Sequence, residues 1–311
     1  LMYKIKQKTE DFVVKEISNV RIKESGKYVY FLLSKKNYNT IKAIGDIAKA
    51  LSVDVKKLGF AGTKDKVAVT NQMVSVYDCD LNKLNTLKLV DLKIDVRGFG
   101  DEPISLGDLE GNRFEIVVRN VNNKPRKVDR VKNYFGEQRF GRNNAEIGKL
   151  IIKRKFREAV ELISKGEGNY ERQVREYMNF SERDYIGALR SIPKKIVMFF
   201  IHAYQSKLWN EMAEKSEKDV PIIGFGTEET DAIRIILNRE GIGIRDFIIR
   251  EIPELSAEGG KRDLYVKVNN LVIGELEGDE LNPGMKKCRV SFSLGKGSYG
   301  TEVVKELFKN C

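Results

Sequence analysis

The 311-residue chain is poor in several residue types and patterns, and each shortage removes a class of chemistry. Its three cysteines, Cys79, Cys288 and Cys311, lie far apart and form no C-x-x-C pair. That argues against a disulfide framework or a cysteine zinc site and for a reducing compartment. There is one histidine, His202. A Ser-His-Asp or Cys-His system, or a multi-histidine metal centre, would have to be assembled around that single imidazole. Acid–base chemistry therefore falls mainly on carboxylates, lysines or tyrosines. No apolar run reaches the roughly 18 residues that a membrane span requires, and no signal-peptide pattern opens the chain. The expectation is a soluble, intracellular protein with no membrane partner. No Walker A stretch is present either.

What the chain does have is positive charge. Lys and Arg number 56 against 45 Asp and Glu, giving a formal net charge of +11 and a pI near 9.3. This balance favours a polyanionic partner, nucleic acid among them. A hydrophobic content of 41% suffices for one large core or two smaller ones. Charged residues make up 32%, rich in Lys and Glu, and with many isoleucines they lean toward a thermophilic source.

One stretch, Phe60 to Gln72, organises the rest. Ala61 and Gly62 let the backbone approach a partner without an intervening side chain. Val67, Val69 and Met73-Val74-Ser75-Val76 have the β-branched content of a strand. Asp65, between Lys64 and Lys66, then sits in the loop entering that strand, where reactive residues are commonly presented. Free Asp titrates near pH 3.9, burial raises that value, and a neighbouring cation keeps the carboxylate charged. Taken alone, K-D-K also fits a solvated polar turn.

Gly62, Lys64, Asp65, Ala68, Thr70 and Gln72 match the G-x-K-D-x-x-A-x-T-x-Q signature of the TruD family of tRNA pseudouridine synthases, which the chain resembles. The resemblance implies that Asp65 is the catalytic nucleophile. Six further stretches resemble the same family. Glu10-Asp11-Phe12-Val13-Val14 is similar to its opening motif, which implies that Phe12 borders the uridine pocket and that Lys6 lies near the catalytic Asp. Asn39-Thr40 resembles its helix start. Gly111-Asn112-Arg113-Phe114 is similar to G-N-x-F, implying that Asn112 hydrogen-bonds at the site and Phe114 stacks on the target base. Tyr134-Phe135-Gly136-Glu137-Gln138-Arg139-Phe140-Gly141 resembles Y-F-G-x-Q-R-F-G, and His202-Ala203-Tyr204-Gln205-Ser206 a helix motif. Gly297-Ser298-Tyr299-Gly300-Thr301 resembles the closing G-S-[YF]-A-T, with Gly300 where Ala is usual, and implies that Tyr299 lines the pocket. Lys64, Arg139 and Arg142 are the basic residues expected to meet RNA. Read as residues alone, Phe12 and Phe114 also suit a core, Asn112 a turn, Lys6 a surface and Tyr299 an exposed loop. His202 reads as a packing residue.

Short alternating segments over 3–33, a helix from Asn39 to Leu51, and a strand at Phe114, Ile116 and Val118 come first. Helices are expected at 147–152, 156–163, 185–189 and 194–218, then strands at 263–268, 271–274 and 287–292 and a closing helix at 298–308. Gly295, Gly297 and Gly300 satisfy G-x-G-x-x-G, yet a dinucleotide fingerprint needs a second parallel strand and an acid about 20 residues on. Strands at both chain ends with helices between them imply a discontinuous domain. The resemblance implies an α+β pseudouridine synthase core, a mostly antiparallel sheet flanked by helices, at 1–127 and 262–311. A largely helical TruD-specific domain is then inserted at 128–261, with RNA expected between the two bodies. It also implies isomerisation of a tRNA uridine, typically at position 13, after the base is flipped from its stack, in the cytoplasm and with no metal or nucleotide cofactor. Two rival readings are a non-catalytic RNA-binding protein and an aspartyl-phosphate enzyme. The order Thr63-Lys64-Asp65 is wrong for the D-K-T-G-T motif of the latter.

Overall fold

Segments in which apolar and polar residues alternate become strands of one large sheet, as a two-residue period requires. A computed structural model of the chain describes residues 3–141 and 143–309. The chain up to Val131, with the chain from Val266 onward, forms one unit, and Lys132–Tyr265 forms a second.

In the first unit the strands are β1 (Phe12–Ile17), β2 (Tyr28–Lys36), β3 (Leu58–Phe60), β4 (Val69–Tyr77), β5 (Leu92–Gly100), β6 (Gly111–Val121), β9 (Asn269–Gly278) and β10 (Lys286–Gly295). Seven run in the order β5-β2-β4-β1-β6-β10-β9, and β3 pairs with β4 off this path. The path is antiparallel except where β1 meets β4 in parallel. Two short strands, β7 (Arg130–Lys132) and β8 (Tyr265–Lys267), pair where the chain leaves this unit and returns.

Register decides which side chains share a face. Val14 lies opposite Phe114, and Phe114 opposite Phe292, so the three form one row across β1, β6 and β10. Onto this face packs α9 (Gly300–Leu307), through Val303, Val304 and Leu307. Elsewhere on the sheet, α1 (Thr40–Leu51) buries Ala43, Ile44, Ile47, Ala48 and Leu51 in a cluster with Phe31, Leu33, Val74 and Val76. Each of the larger of these side chains stabilises the fold by about 1.5–3 kcal/mol. Asn39 caps α1, its side chain accepting a hydrogen bond from Lys42 N at 3.1 Å. A short helix, α2 (Leu81–Thr86), completes the unit's helices among the described residues. The unit is α+β with a mainly antiparallel sheet.

The second unit is largely helical: α3 (Asn144–Ile152), α4 (Phe156–Ser164), α5 (Asn169–Phe180), α6 (Tyr185–Arg190), α7 (Lys194–Lys215) and α8 (Asp231–Glu240). Its core gathers around Ile201, Tyr204 and Leu208 of α7. Gly148 of α3 meets that helix so closely that a Cβ there would lie 2.1 Å from the Phe200 carbonyl oxygen.

The fold departs from the sequence-based expectation in four places. Helices α5 and α8 were not expected, because they are charge-rich and bury only Val174 and only Ile233 and Leu237, respectively. Helix α7 stops at Lys215, short of 218. The segment around Tyr3 and Ile5 is no strand: among the described residues its only β pairing is one bridge, Lys4 with Arg119.

Candidate active site

Two anchors fix the chain just before β1. The Lys4 N–H donates to the Arg119 carbonyl and the Arg119 N–H to the Lys4 carbonyl, both at 2.8 Å. Four residues beyond Gln7, the Asp11 carboxylate takes both a Nε and a Nη2 hydrogen bond from Arg119 at 2.8 Å, and Asp279 takes Nη1 at 2.9 Å. These charges are buried, and the bidentate geometry lets each find its partner. Between the anchors, Lys6 adopts φ 58°, a left-handed conformation uncommon outside glycine. Its ammonium lies 3.1 Å from Asp65 Oδ1 and 4.1 Å from the centroid of the Phe12 ring.

Asp65 stands in the loop joining β3 to β4, and that loop is held through its carbonyls. Ala61 O accepts from Gly107 N at 2.8 Å, Gly62 O from Gln72 Nε2 at 3.0 Å, and Ala68 O from Asn37 N at 3.1 Å. The Thr40 hydroxyl accepts from Lys64 N at 3.0 Å and donates to Lys64 O at 3.4 Å. Lys35, 1% exposed, donates its ammonium to the Asp65 carbonyl at 2.6 Å. Burial pushes the Lys35 amine down to about 8; Asp65 opposes the fall and Lys64 adds to it.

Lys64 does not present its charge at the surface. Its side chain is 6% exposed and pairs with Glu16 Oε2 at 2.6 Å, while Glu16 Oε1 accepts from Met73 N at 3.1 Å. It is a buried counter-ion tying the loop to β1, so the expectation that it meets RNA is corrected here.

Asn112 lies opposite Glu16 in the β1–β6 register and opposite Leu294 in β10. Its Oδ1 is buried without a hydrogen-bond partner among the described residues, as are Thr70 Oγ1 and Gln72 Oε1. An orphaned buried acceptor costs about 1–3 kcal/mol and commonly marks a place meant for a polar group. The two phenylalanines are more enclosed than a stacking platform would be. Phe114 is 5% exposed, with its ring stacked on Phe292 at 5.4 Å and edge-on to Phe12 at 6.2 Å. Gly300 presses against it, and a Cβ at that position would fall 2.7 Å from the ring. In this conformation Phe114 is a wall packed into the core, not an open face. Tyr299, half-buried, immediately precedes Gly300 and caps α9.

Lys6, Phe12, Asp65 and Phe114 are thus linked by direct contacts. Asn112 joins them through strand register, and Tyr299 through the glycine beside it. Arg139 belongs to the second unit, and Arg142 lies outside the described residues. Among the described residues no three His, Cys, Asp or Glu side chains converge as metal ligands. Sequence reasoning missed Lys35, Glu16 and the loop-holding role of Thr40. Alternation offered a signal for the first two. Lys35 continues the buried register of Phe31 and Leu33, and Glu16 that of Phe12 and Val14, so both place a charge where an apolar residue belongs.

A profile of the family described as tRNA pseudouridine synthase D (TruD) matches residues 2–167, 164–224 and 219–307. The tRNA pseudouridine synthase D of Aquifex aeolicus is 30% identical, over 98% of each chain. The "Probable tRNA pseudouridine synthase D" of Methanopyrus kandleri is 32% identical, over 91% of this chain and 86% of its own. The crystal structure of a Methanosarcina mazei protein assigned to tRNA pseudouridine synthase D superposes with a TM-score of 0.74 at 26% identity, covering 98% of this chain and 93% of that one. With a signature loop built around Asp65 and a family match running nearly end to end, the chain belongs to the TruD family of tRNA pseudouridine synthases.

Proposed function

We propose that the chain converts a uridine of tRNA, at position 13, to pseudouridine, with Asp65 as the reactive carboxylate. The observation that carries this reading is the contact chain Phe12–Lys6–Asp65 on a loop whose carbonyls are fastened at five residues. Such a carboxylate is presented without having to be ordered when substrate arrives.

The target base must leave its stack, at a cost of a few kcal/mol. The orphaned Asn112 Oδ1 is an acceptor suited to the N3–H of uracil. The stacking role that the family resemblance implied for Phe114 passes to Tyr299, whose ring is only half-buried; Phe114 and Phe12 form the apolar wall beside it. Asp65 acts on the ribose, by attack at C1′ or by taking a sugar proton. The C1′–N1 bond breaks, the uracil turns within the pocket, and C1′ bonds to C5. C5 then loses its proton and N1 gains one, so the product is an isomer and the electron count is unchanged. Lys6 pairs with the carboxylate and fixes its position, and Lys35 holds its backbone.

We further propose that 132–265 is the inserted family-specific domain, and that the enzyme works in the cytoplasm, on the tRNA found there. The test is incubation with an unmodified tRNA transcript carrying tritium at uridine C5. One tritium released per pseudouridine, mapped to nucleotide 13, is expected. Tight binding of the transcript with no tritium release would replace this reading with a non-catalytic RNA-binding protein.

A further inference from the structure

The second unit carries a groove of about 710 Å³ lined by Arg139, Lys194, Lys195, Met198, Phe199 and His202 together with Pro193. Among the described residues no carboxylate lines it. The nearby Glu254, whose field Lys194 feels, is paired with Arg190 at 3.1 Å.

Three features of the lining look outward to a ligand. Arg139 is held by its inner edge: Nε donates to Ser206 Oγ at 2.7 Å, and the guanidinium lies 5.0 Å from the Phe135 ring and 5.9 Å from that of Phe199. Neither Nη group is engaged among the described residues, so the fork that recognises phosphate is oriented and unoccupied by protein. Phe199 is 37% exposed, a large ring left at the surface beside that fork. The His202 imidazole makes no hydrogen bond among the described residues, and burial, helped by Arg139, lowers its pKa and keeps it neutral. A neutral imidazole both donates and accepts, as the edge of a base requires.

The start of α7 adds a local conflict. Lys194 and Lys195 occupy the first turn of a 22-residue helix that has no acidic residue there. Cations at the positive end of a helix dipole lower its stability, and a local rule broken in this way points to function.

We propose that this groove binds one unpaired nucleotide of the RNA substrate, its base on Phe199 and its phosphate on Arg139 and the two lysines, as a second contact distinct from the uridine pocket. A volume of this size accommodates a nucleotide, and a ring beside cations is the chemistry by which single-stranded RNA is held without sequence readout. The proposal rests on the reading that the partner is RNA.

The test uses the full chain and an unmodified tRNA transcript, with affinity measured by fluorescence anisotropy over a range of salt. Phe199→Ala is expected to weaken binding about tenfold. Lys194→Gln with Lys195→Gln should reduce the slope of log K against log[salt] by about two. Arg139→Gln should weaken binding at least as much as Phe199→Ala. Because it also removes the Ser206 bond, the two surface variants decide the matter if it unfolds. Affinity within about twofold of wild type for Phe199→Ala, with an unchanged salt slope for the lysine pair, overturns the proposal. Tritium release by the wild-type chain tests the parent reading separately, so a working enzyme with an inert groove refutes only this inference.

Discussion

The Lys6 ammonium sits 3.1 Å from the Asp65 carboxylate and 4.1 Å from the centre of the Phe12 ring, joining a residue before the first strand to one 59 positions later. Both partners are partly exposed, so the pair contributes little to stability, and its value lies in placing charge. Lys6→Met is therefore expected to lower the single-turnover rate by about 10²-fold while leaving the melting temperature nearly unchanged. A variant as fast as wild type would remove Lys6 from the account.

Lys35 gives a pH dependence whose sign follows from its amine lying at about 8 in the fold, against roughly 10.4 when free. Below about 8 the amine is protonated in both states and stability is flat with respect to this group. Between about 8 and 10.4 the unfolded chain binds more protons, so wild type gains stability there relative to Lys35→Met. Activity should move the other way, because a neutral amine holds the Asp65 carbonyl less firmly. The groups facing Lys35 are Asp65 and Lys64, with Lys6 and Glu16 one contact further. The wild-type rate should fall with a midpoint near 8, and Lys35→Met should be slow throughout and lack that limb. An identical alkaline limb in the variant would assign it to another group.

Asp65, Phe12, Asn112 and Tyr299 could be singled out in the sequence because each lies in a contiguous motif, β6 because Phe114, Ile116 and Val118 alternate, and β4 because it is rich in β-branched residues. The partners that make the site work were harder to see. Glu16 and Lys64 are 48 residues apart, and Lys35 and Asp65 30 apart; only the sheet brings them together. Lys64 looked like a surface cation because charge runs usually are. Nothing in its neighbours reveals a carboxylate buried one strand away. The enclosure of Phe114 likewise depends on Phe292 and Gly300, nearly two hundred residues downstream. Helix α5 escaped notice because its apolar stripe of Tyr170, Val174, Tyr177 and Met178 is thin and set among charged and polar residues, with only Val174 fully buried.

Gly300 stands where the family motif usually has alanine, and the reason is visible in the ring beside it. A methyl group there would come within 2.7 Å of Phe114, a side chain already confined by Phe12 and Phe292. Gly300→Ala should destabilise the chain by about 1–3 kcal/mol, measured by urea unfolding. Stability equal to or above wild type would mean that Phe114 readily shifts.

The central claim is that one carboxylate performs the chemistry. Asp65→Asn keeps the shape and can still accept the Lys6 hydrogen bond, but it removes the charge. The decisive measurement is single-turnover tritium release from C5-labelled tRNA, with RNA affinity determined on the same preparation. Release should fall below detection while affinity stays within about threefold of wild type. Release within about tenfold of wild type would contradict the account.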